Sequence, residues 1–188
     1  MLGQRLSLVV VLGVALGAAA CAPAMVQRPG VTVYESRTDT AVTEGETALD
    51  CDPDTAFHAS IDYSRWPRIF TDMRRAIITA RDGDDARVTF VHANGDKDNL
   101  HFHNRSGERT LWFEDTGDDT ARVWAEIAFL PGAKPGTTRV HTRLYANVHG
   151  IASWFVPDGK LRAMREQRVQ QDLLQLRRYF KATVARTP

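Results

Sequence analysis

The chain has 188 residues, and its content of 43% hydrophobic and 25% charged residues is that of an ordinary globular protein. Its 24 Lys and Arg residues nearly balance its 23 Asp and Glu residues, so the formal net charge is only +1. This balance gives no strong positive field for attracting phosphates, and it argues against a nucleic-acid partner.

The first 20 residues have the layout of a secretory signal peptide. Arg5 comes first, an apolar run extends from Leu6 to about Leu16, and small residues follow. The apolar run is short for a helix that crosses a bilayer, which needs about 20 residues. We therefore expect residues 1–20 to direct export and then to be removed.

The segment LGAAAC, which ends at Cys21, resembles the lipobox of bacterial lipoproteins. The resemblance implies that Cys21 becomes the first mature residue and carries a lipid. Because Ala22 rather than Asp follows, it also implies a lipid anchor in the cell envelope, in an outer membrane and facing the periplasm. Ala18 stands where the lipobox prefers Leu, and Ala18 to Ala20 also fit an ordinary cleavage site, so plain secretion is the alternative.

Residues 21–38 contain two prolines and a glycine and lack a clear periodicity, which predicts a tether. A flexible tether of this length spans roughly 20–25 Å. Residues 39–188 are then one domain. We expect Cys51 to be a small buried hydrophobe, and a Cys21–Cys51 disulfide is conceivable only if Cys21 carries no lipid.

The domain begins with a predicted strand over residues 40–50. Asp52 or Pro53 can begin a first short helix, and Ser64 can cap a second one. Apolar residues then recur with period two, broken by turn clusters, which predicts six antiparallel strands at about 73–81, 86–93, 99–105, 108–114, 121–130 and 137–148. A long helix over residues 159–185 follows, with one apolar stripe and one basic face.

This order of elements resembles the START-like superfamily, which is also called SRPBCC or helix-grip and includes polyketide-cyclase and coenzyme-Q-binding branches. The resemblance rests on DPDTAFHASIDYSRWPRIFTDM after the first strand and on GIASWFVPDGKLRAMREQRVQQDLLQLRRYF at the end. It implies an α+β fold with a curved seven-stranded antiparallel sheet, two short helices and a long C-terminal helix. It also implies that an apolar ligand lies between the sheet and the long helix.

The hairpin turns predict which face of the sheet each strand residue occupies. With residues 95–98 as a loop, Val91 lies opposite Phe102, and the following turns place Phe102 opposite Leu111. The same chain of registers pairs Leu111 with Val123 and Ile127 with Val140. Phe102 then points to the core, whereas His101 and His103 point to solvent.

Candidate catalytic and metal-binding groups are few. His92, His101 and His103 can approach one another on the outer face, but no acidic residue stands at an obvious ligand position, so we predict no metal site. Motifs for a serine nucleophile or a phosphate-binding glycine loop are absent from the sequence. We predict no cofactor, no catalytic residue and a binding role, while the sequence leaves catalysis open.

The function that we predict is an envelope-anchored protein that binds a hydrophobic small molecule, such as a lipid, a quinone or a polyketide-like compound. Two alternatives stay open: a protein-interaction module with a filled core, and an aromatase/cyclase-type enzyme with polar groups inside the cavity. Phe90, Trp112 and Trp124 would form an outer apolar patch for a protein partner. The predicted ligand contacts are Val91, Phe102, Phe113, Ile127, Phe129, Leu144, Trp154, Phe155, Val169, Leu173 and Phe180.

Overall fold

The computed structural model describes residues 30–117, 120–149 and 156–184. The predicted signal peptide, Cys21 and the first part of the predicted tether lie outside these ranges, as do Trp154 and Phe155. Within these ranges, no helix is both long enough and apolar enough to cross a membrane.

A curved antiparallel sheet forms one layer of the α+β fold, and a long C-terminal helix covers it, as predicted. The sheet has eight strands in the order β1-β2-β8-β7-β6-β5-β4-β3. The strands are β1 (Val31–Glu35), β2 (Val42–Leu49), β3 (Met73–Asp82), β4 (Asp85–His92), β5 (Lys97–Arg105), β6 (Thr110–Asp115), β7 (Ala121–Pro131) and β8 (Thr138–Val148).

The eighth strand, β1, lies inside the predicted tether, so the tether prediction is wrong for residues 31–35. β1 pairs antiparallel with β2 along its whole length, and Thr47 donates a hydrogen bond to the carbonyl oxygen of Gly30. The short stretch VTVYE alternates in burial, with Val31 buried and Thr32 exposed. Five residues are too few for a reliable period-two signal beside prolines and a glycine.

Two short helices connect β2 to β3, as predicted. Helix α1 (Pro53–Ile61) begins after Asp52, whose carboxylate accepts a hydrogen bond from the backbone N–H of Thr55 at 2.9 Å. A 3-10 turn over Tyr63–Arg65 leads into α2 (Trp66–Ile69). Ser64 does not cap α2, because its hydroxyl hydrogen-bonds Asp62 instead.

The long helix α3 (Asp158–Val184) lies across β1, β2 and β8. Its buried stripe is Leu161, Val169, Leu173, Leu176 and Phe180. Gly45 of β2 allows this close approach, because a Cβ atom there would lie 2.5 Å from Val169 Cγ1 and 2.8 Å from Leu173 Cδ1.

The predicted pairing of β4 with β5 is wrong, and the error turns β4 over. Phe102 pairs with Ala86 rather than Val91, an odd difference of five positions. Phe90 is therefore fully buried, at 0% exposure, and Val91 lies on the outer face. The loop is displaced because the backbone N–H of His92 bonds the carbonyl oxygen of Asp96, with Gly95 at φ +92°.

The registers of β5 to β8 differ from the predicted ones by even numbers of residues, so the predicted faces are right. Phe102 lies opposite Phe113, two residues beyond Leu111. Leu111 lies opposite Ile127, four residues beyond Val123. Phe102 points to the core at 0% exposure, and His101 and His103 are half-buried on the other face, as predicted.

Cys51 is half-buried and packs against the core, close to its predicted role. Burial raises the pKa of the Cys51 thiol to about 11, and the nearby Asp52 adds to the effect. The raised pKa leaves little thiolate at neutral pH, which lowers the reactivity of the thiol.

Candidate ligand-binding cavity

A cavity of about 260 Å³ lies between the inner face of the sheet and helix α3. Strands β5 to β8 form one wall, α3 forms the opposite wall, and α2 with the start of β3 closes one side. The apolar residues that line it are Trp66, Phe70, Met73, Leu100, Phe113, Val123, Ala125, Ile127, Leu144, Ala146, Met164, Val169, Leu173 and Leu176. An apolar cavity between a sheet and a helix is suited to an apolar small molecule.

An aromatic cluster supports one side of the cavity. Trp66 stacks on Phe90 at 4.9 Å between ring centroids and contacts Phe102 edge-on at 5.3 Å. Phe102 lies 4.3 Å from Tyr63 and 5.0 Å from Phe113, again between centroids. Because these rings hold one another in place, Trp66 and Phe113 present a fixed surface to the cavity.

The structure brings five of the eleven predicted ligand contacts to the cavity wall: Phe113, Ile127, Leu144, Val169 and Leu173. Phe102, Phe129 and Phe180 are buried in the core but do not line the cavity. Val91 faces away from the cavity, because the observed register places it on the outer face of β4. Trp154 and Phe155 lie outside the described residues, so their role stays a prediction.

Sequence reasoning missed the contribution of α2 and of the start of β3. Trp66, Phe70 and Met73 all line the cavity, and none of the three is among the predicted ligand contacts. The resemblance to helix-grip proteins places a helix pair after the first strand. The apolar side of this helix pair can only pack against the sheet. That constraint would have indicated that the three residues lie near the cavity.

Polar side chains meet at one end of the cavity, near the chain positions where β4 ends and β5 begins. Arg168 of α3 bonds Asp72 through Nη1 at 2.8 Å and Asp172 through Nε at 2.9 Å. His92 bonds Asp98 through Nε2 at 2.6 Å, and its Nδ1 lies 3.8 Å from Asp72. We refer to Asp72, His92, Asp98, Arg168 and Asp172 as the polar cluster.

The polar cluster shifts the acidity of its members. Burial raises the pKa of Asp172 to about 6, and the adjacent Arg168 offsets only part of this effect. Burial acts in the same direction on Asp72, but there Arg168 outweighs it and holds the pKa below its usual range. The hydrogen bond with Asp98 raises the pKa of His92 and so favours the imidazolium. One oxygen of each carboxylate, Oδ1, is buried without a hydrogen-bond partner among the described residues.

Arg165 is the second arginine at the cavity, and each of its three side-chain nitrogens donates a hydrogen bond within the protein. Nε bonds the Thr43 hydroxyl, Nη1 bonds the Ala146 carbonyl oxygen at 3.0 Å, and Nη2 bonds the Thr40 carbonyl oxygen at 2.8 Å. Burial lowers the pKa of Arg165. These bonds fasten α3 to the sheet, so Arg165 holds one wall of the cavity in place.

Of the three residues predicted to form an outer apolar patch, two lie on the outer face and one does not. Phe90 is buried in the core, whereas Trp112 and Trp124 are half-buried on the outer face. Trp124 stacks on Tyr145 at 5.6 Å with an interplanar angle of 2°, and the Arg143 guanidinium lies 5.7 Å from its ring. A protein partner at this smaller patch stays a prediction.

No protein-family model and no curated protein sequence matches the chain. Solved structures do match it in fold. A START superfamily protein from Mycobacterium smegmatis has 13% sequence identity and a TM-score of 0.62, over 76% of this chain and 98% of that one. Zhui aromatase/cyclase from Streptomyces sp. R1128 has 11% identity and a TM-score of 0.63, over 82% and 96%.

A STAR-related lipid transfer protein from Xanthomonas axonopodis is similar in fold as well. It has 14% identity and a TM-score of 0.61, over 83% of this chain and 96% of the solved fragment. At such identities the likeness concerns the backbone. The predicted helix-grip fold is therefore confirmed, with eight strands in place of seven.

Proposed function

We propose that this chain is a binding protein that holds a hydrophobic small molecule between the curved sheet and α3. The observation that carries the proposal is the cavity of about 260 Å³ with a mostly apolar and aromatic wall. This volume is close to the lower end of the usual range of ligand sites, about 300–1,000 Å³. A lipid, a quinone or a polyketide-like compound has a body that suits such a wall.

Of the two alternatives, the interaction module with a filled core fits less well, because the core contains this cavity. An aromatase/cyclase-type enzyme is the second candidate, and the polar cluster is the observation that favours it. Asp172 lines the cavity, and its pKa of about 6 is near the value that a general acid or base needs at neutral pH. Binding ranks first because the apolar wall accounts for most of the cavity.

Replacing Ala125 with leucine is expected to weaken binding of an apolar probe at least about tenfold. Ala125 is buried on β7 and lines the cavity, so a larger side chain there occupies space that the ligand needs. The measurement is a fluorescence titration with N-phenyl-1-naphthylamine, whose emission rises in apolar surroundings.

The matched control for this titration is Ala128→Leu on the same strand. Ala128 alternates with the inward-facing Ile127 and Phe129, and it lies opposite His141 on the outer face. We expect this variant to bind the probe as the wild type does. If Ala125→Leu also binds the probe with unchanged affinity, the probe does not occupy this cavity and the binding proposal is wrong.

We also propose that the chain is exported and anchored in the cell envelope through a lipid on Cys21. The proposal rests on the signal-like segment of residues 1–20 and on LGAAAC before the domain. An anchor of this kind would keep the binding domain near a membrane, where hydrophobic ligands reside.

Exchanging Cys21 for serine is expected to move the protein from the membrane fraction to the soluble fraction of the envelope. The change removes the thiol that would carry the lipid and leaves the domain intact. The measurement is fractionation of the producing cells, followed by mass spectrometry of the purified chain. A Cys51→Ser variant is the control and should stay in the membrane fraction. Equal membrane retention of the wild type and Cys21→Ser would refute the anchor.

A further inference from the structure

Two histidines and a carboxylate converge on the outer face of the sheet, away from the ligand cavity. His101 and His103 lie two residues apart on β5, and Asp85 of β4 pairs directly with His103. One ligand atom from each of the three side chains lies within 4.8 Å of the other two. His92, which the sequence grouped with them, instead belongs to the polar cluster.

The sequence argued against a metal because no acidic residue stood at an obvious ligand position. The register of β4 and β5 supplies one, since it places Asp85 beside His103 rather than in a remote turn. His103 Nδ1 and Asp85 Oδ1 are 2.5 Å apart, and the two imidazole centroids are separated by 4.1 Å. An acidic ligand therefore does stand beside the two histidines.

From this geometry we propose that Asp85, His101 and His103 form a binding site for a divalent transition metal, with zinc as the best match. Two imidazole nitrogens and a carboxylate oxygen are the donors that zinc accepts, at about 2.0–2.2 Å each. In a tetrahedral site these bond lengths separate ligand atoms by about 3.3 Å. Three side chains that are exposed or half-buried reach this spacing by small rotations.

Neighbouring side chains restrict the movement of the ligands and add little net charge to the site. Trp112 lies opposite His103, and its ring centroid is 5.1 Å from that imidazole, which limits how far the ring can turn. Glu114 lies opposite His101 on β6, whereas Arg87 lies opposite it on β4. The acidic and basic neighbours offset each other, so the ligands themselves determine affinity. Three protein ligands leave a fourth position open for water.

The test is calorimetric titration of zinc chloride into untagged, chelator-treated protein in which Cys21→Ser removes an accessible thiol. We expect one zinc per chain with a Kd below about 10 µM, and no heat with magnesium, which prefers oxygen ligands. His101→Ala and Asp85→Asn should each weaken zinc binding at least about tenfold. Asp85→Asn keeps a hydrogen-bonding group beside His103, so its effect reports coordination rather than folding.

The matched control is His141→Ala on β8. His141 also lies on the outer face beside a carboxylate, with Nε2 at 3.2 Å from Glu44, but it lacks a second histidine. We expect it to bind zinc as the wild type does. The proposal is wrong if the unaltered site takes up no zinc below about 100 µM. It is equally wrong if His101→Ala binds as tightly as its parent, or if His141→Ala is weakened to the same extent.

Discussion

Replacing Phe102 with alanine is expected to lower the free energy of unfolding by about 3–5 kcal/mol. The side chain is fully buried at 0% exposure. Its ring contacts the rings of Tyr63, Trp66, Phe90 and Phe113, with centroids 4.3 to 6.1 Å away. Removing it leaves a void in the middle of this aromatic cluster, and close-packed rings cannot collapse fully to fill it.

The measurement is urea denaturation followed by far-ultraviolet circular dichroism at neutral pH. Val91→Ala is the control, because Val91 is half-buried on the outer face of the neighbouring strand. We expect its cost to be at most about 1 kcal/mol. If Val91→Ala proves as costly as Phe102→Ala, Val91 is buried and β4 has the orientation that the loop-based register predicts.

β4 shows why a register derived from loops can fail while the fold is still predicted correctly. The prediction counted outward from a loop at 95–98, and a loop position is uncertain by a residue or more. The strand itself reads Asp85-Ala86-Arg87-Val88-Thr89-Phe90, a strict alternation that places Ala86, Val88 and Phe90 on one face. If the prediction had relied on this alternation and not on the loop position, it would have placed Phe90 in the core correctly.

The faces of β5 to β8 could be predicted because each predicted register there differs from the observed one by an even number of residues. A shift of two or four residues changes which residues are opposite each other but not which face each one occupies. The long helix could be predicted as well, since its apolar stripe extends over many turns. Predictions that depend on a long repeated pattern tolerate local errors, and those that depend on one turn do not.

The polar cluster could not be predicted, because its members come from distant parts of the chain. Arg168 lies 96 residues beyond Asp72, and the fold alone brings them together. Taken singly, each of these side chains looks like a residue on a solvated face. Only the fold brings Arg168 and Asp172 of α3 beside Asp72, which precedes β3, and so turns these side chains into a set of interacting charges.

Replacing Arg168 with methionine is expected to destabilise the fold by about 2 kcal/mol at pH 8. The change removes the cation between Asp72 and Asp172 and leaves both carboxylates without their ion-pair partner. Breaking a fully buried pair costs about 3–5 kcal/mol, and we lower this figure because roughly a third of each side chain is exposed. Methionine keeps most of the apolar stem of the arginine.

The destabilisation should shrink as the pH falls. Asp72 has a lowered pKa in the fold, so its ion pair stabilises the protein above the unfolded pKa of about 3.9 and is lost only in acid. Asp172 has a raised pKa of about 6, so ionising it already costs stability as the pH rises from about 4 to 6. Without Arg168 that cost grows, and it is largest above pH 6.

The measurement is the free energy of unfolding of wild type and variant between pH 4.5 and 8. Arg162→Met is the matched control on the same helix, because Arg162 is exposed and pairs with Glu166 at 2.9 Å and with Glu35 of β1 at 3.1 Å. Exposed ion pairs contribute little to stability, so the loss of these two should have a small effect at every pH. Equal effects of the two variants at pH 8 would mean that the polar cluster is solvated like an ordinary surface. In that case Asp172 would titrate near the usual aspartate value, and the observation that favours an acid–base role in the cavity would be lost.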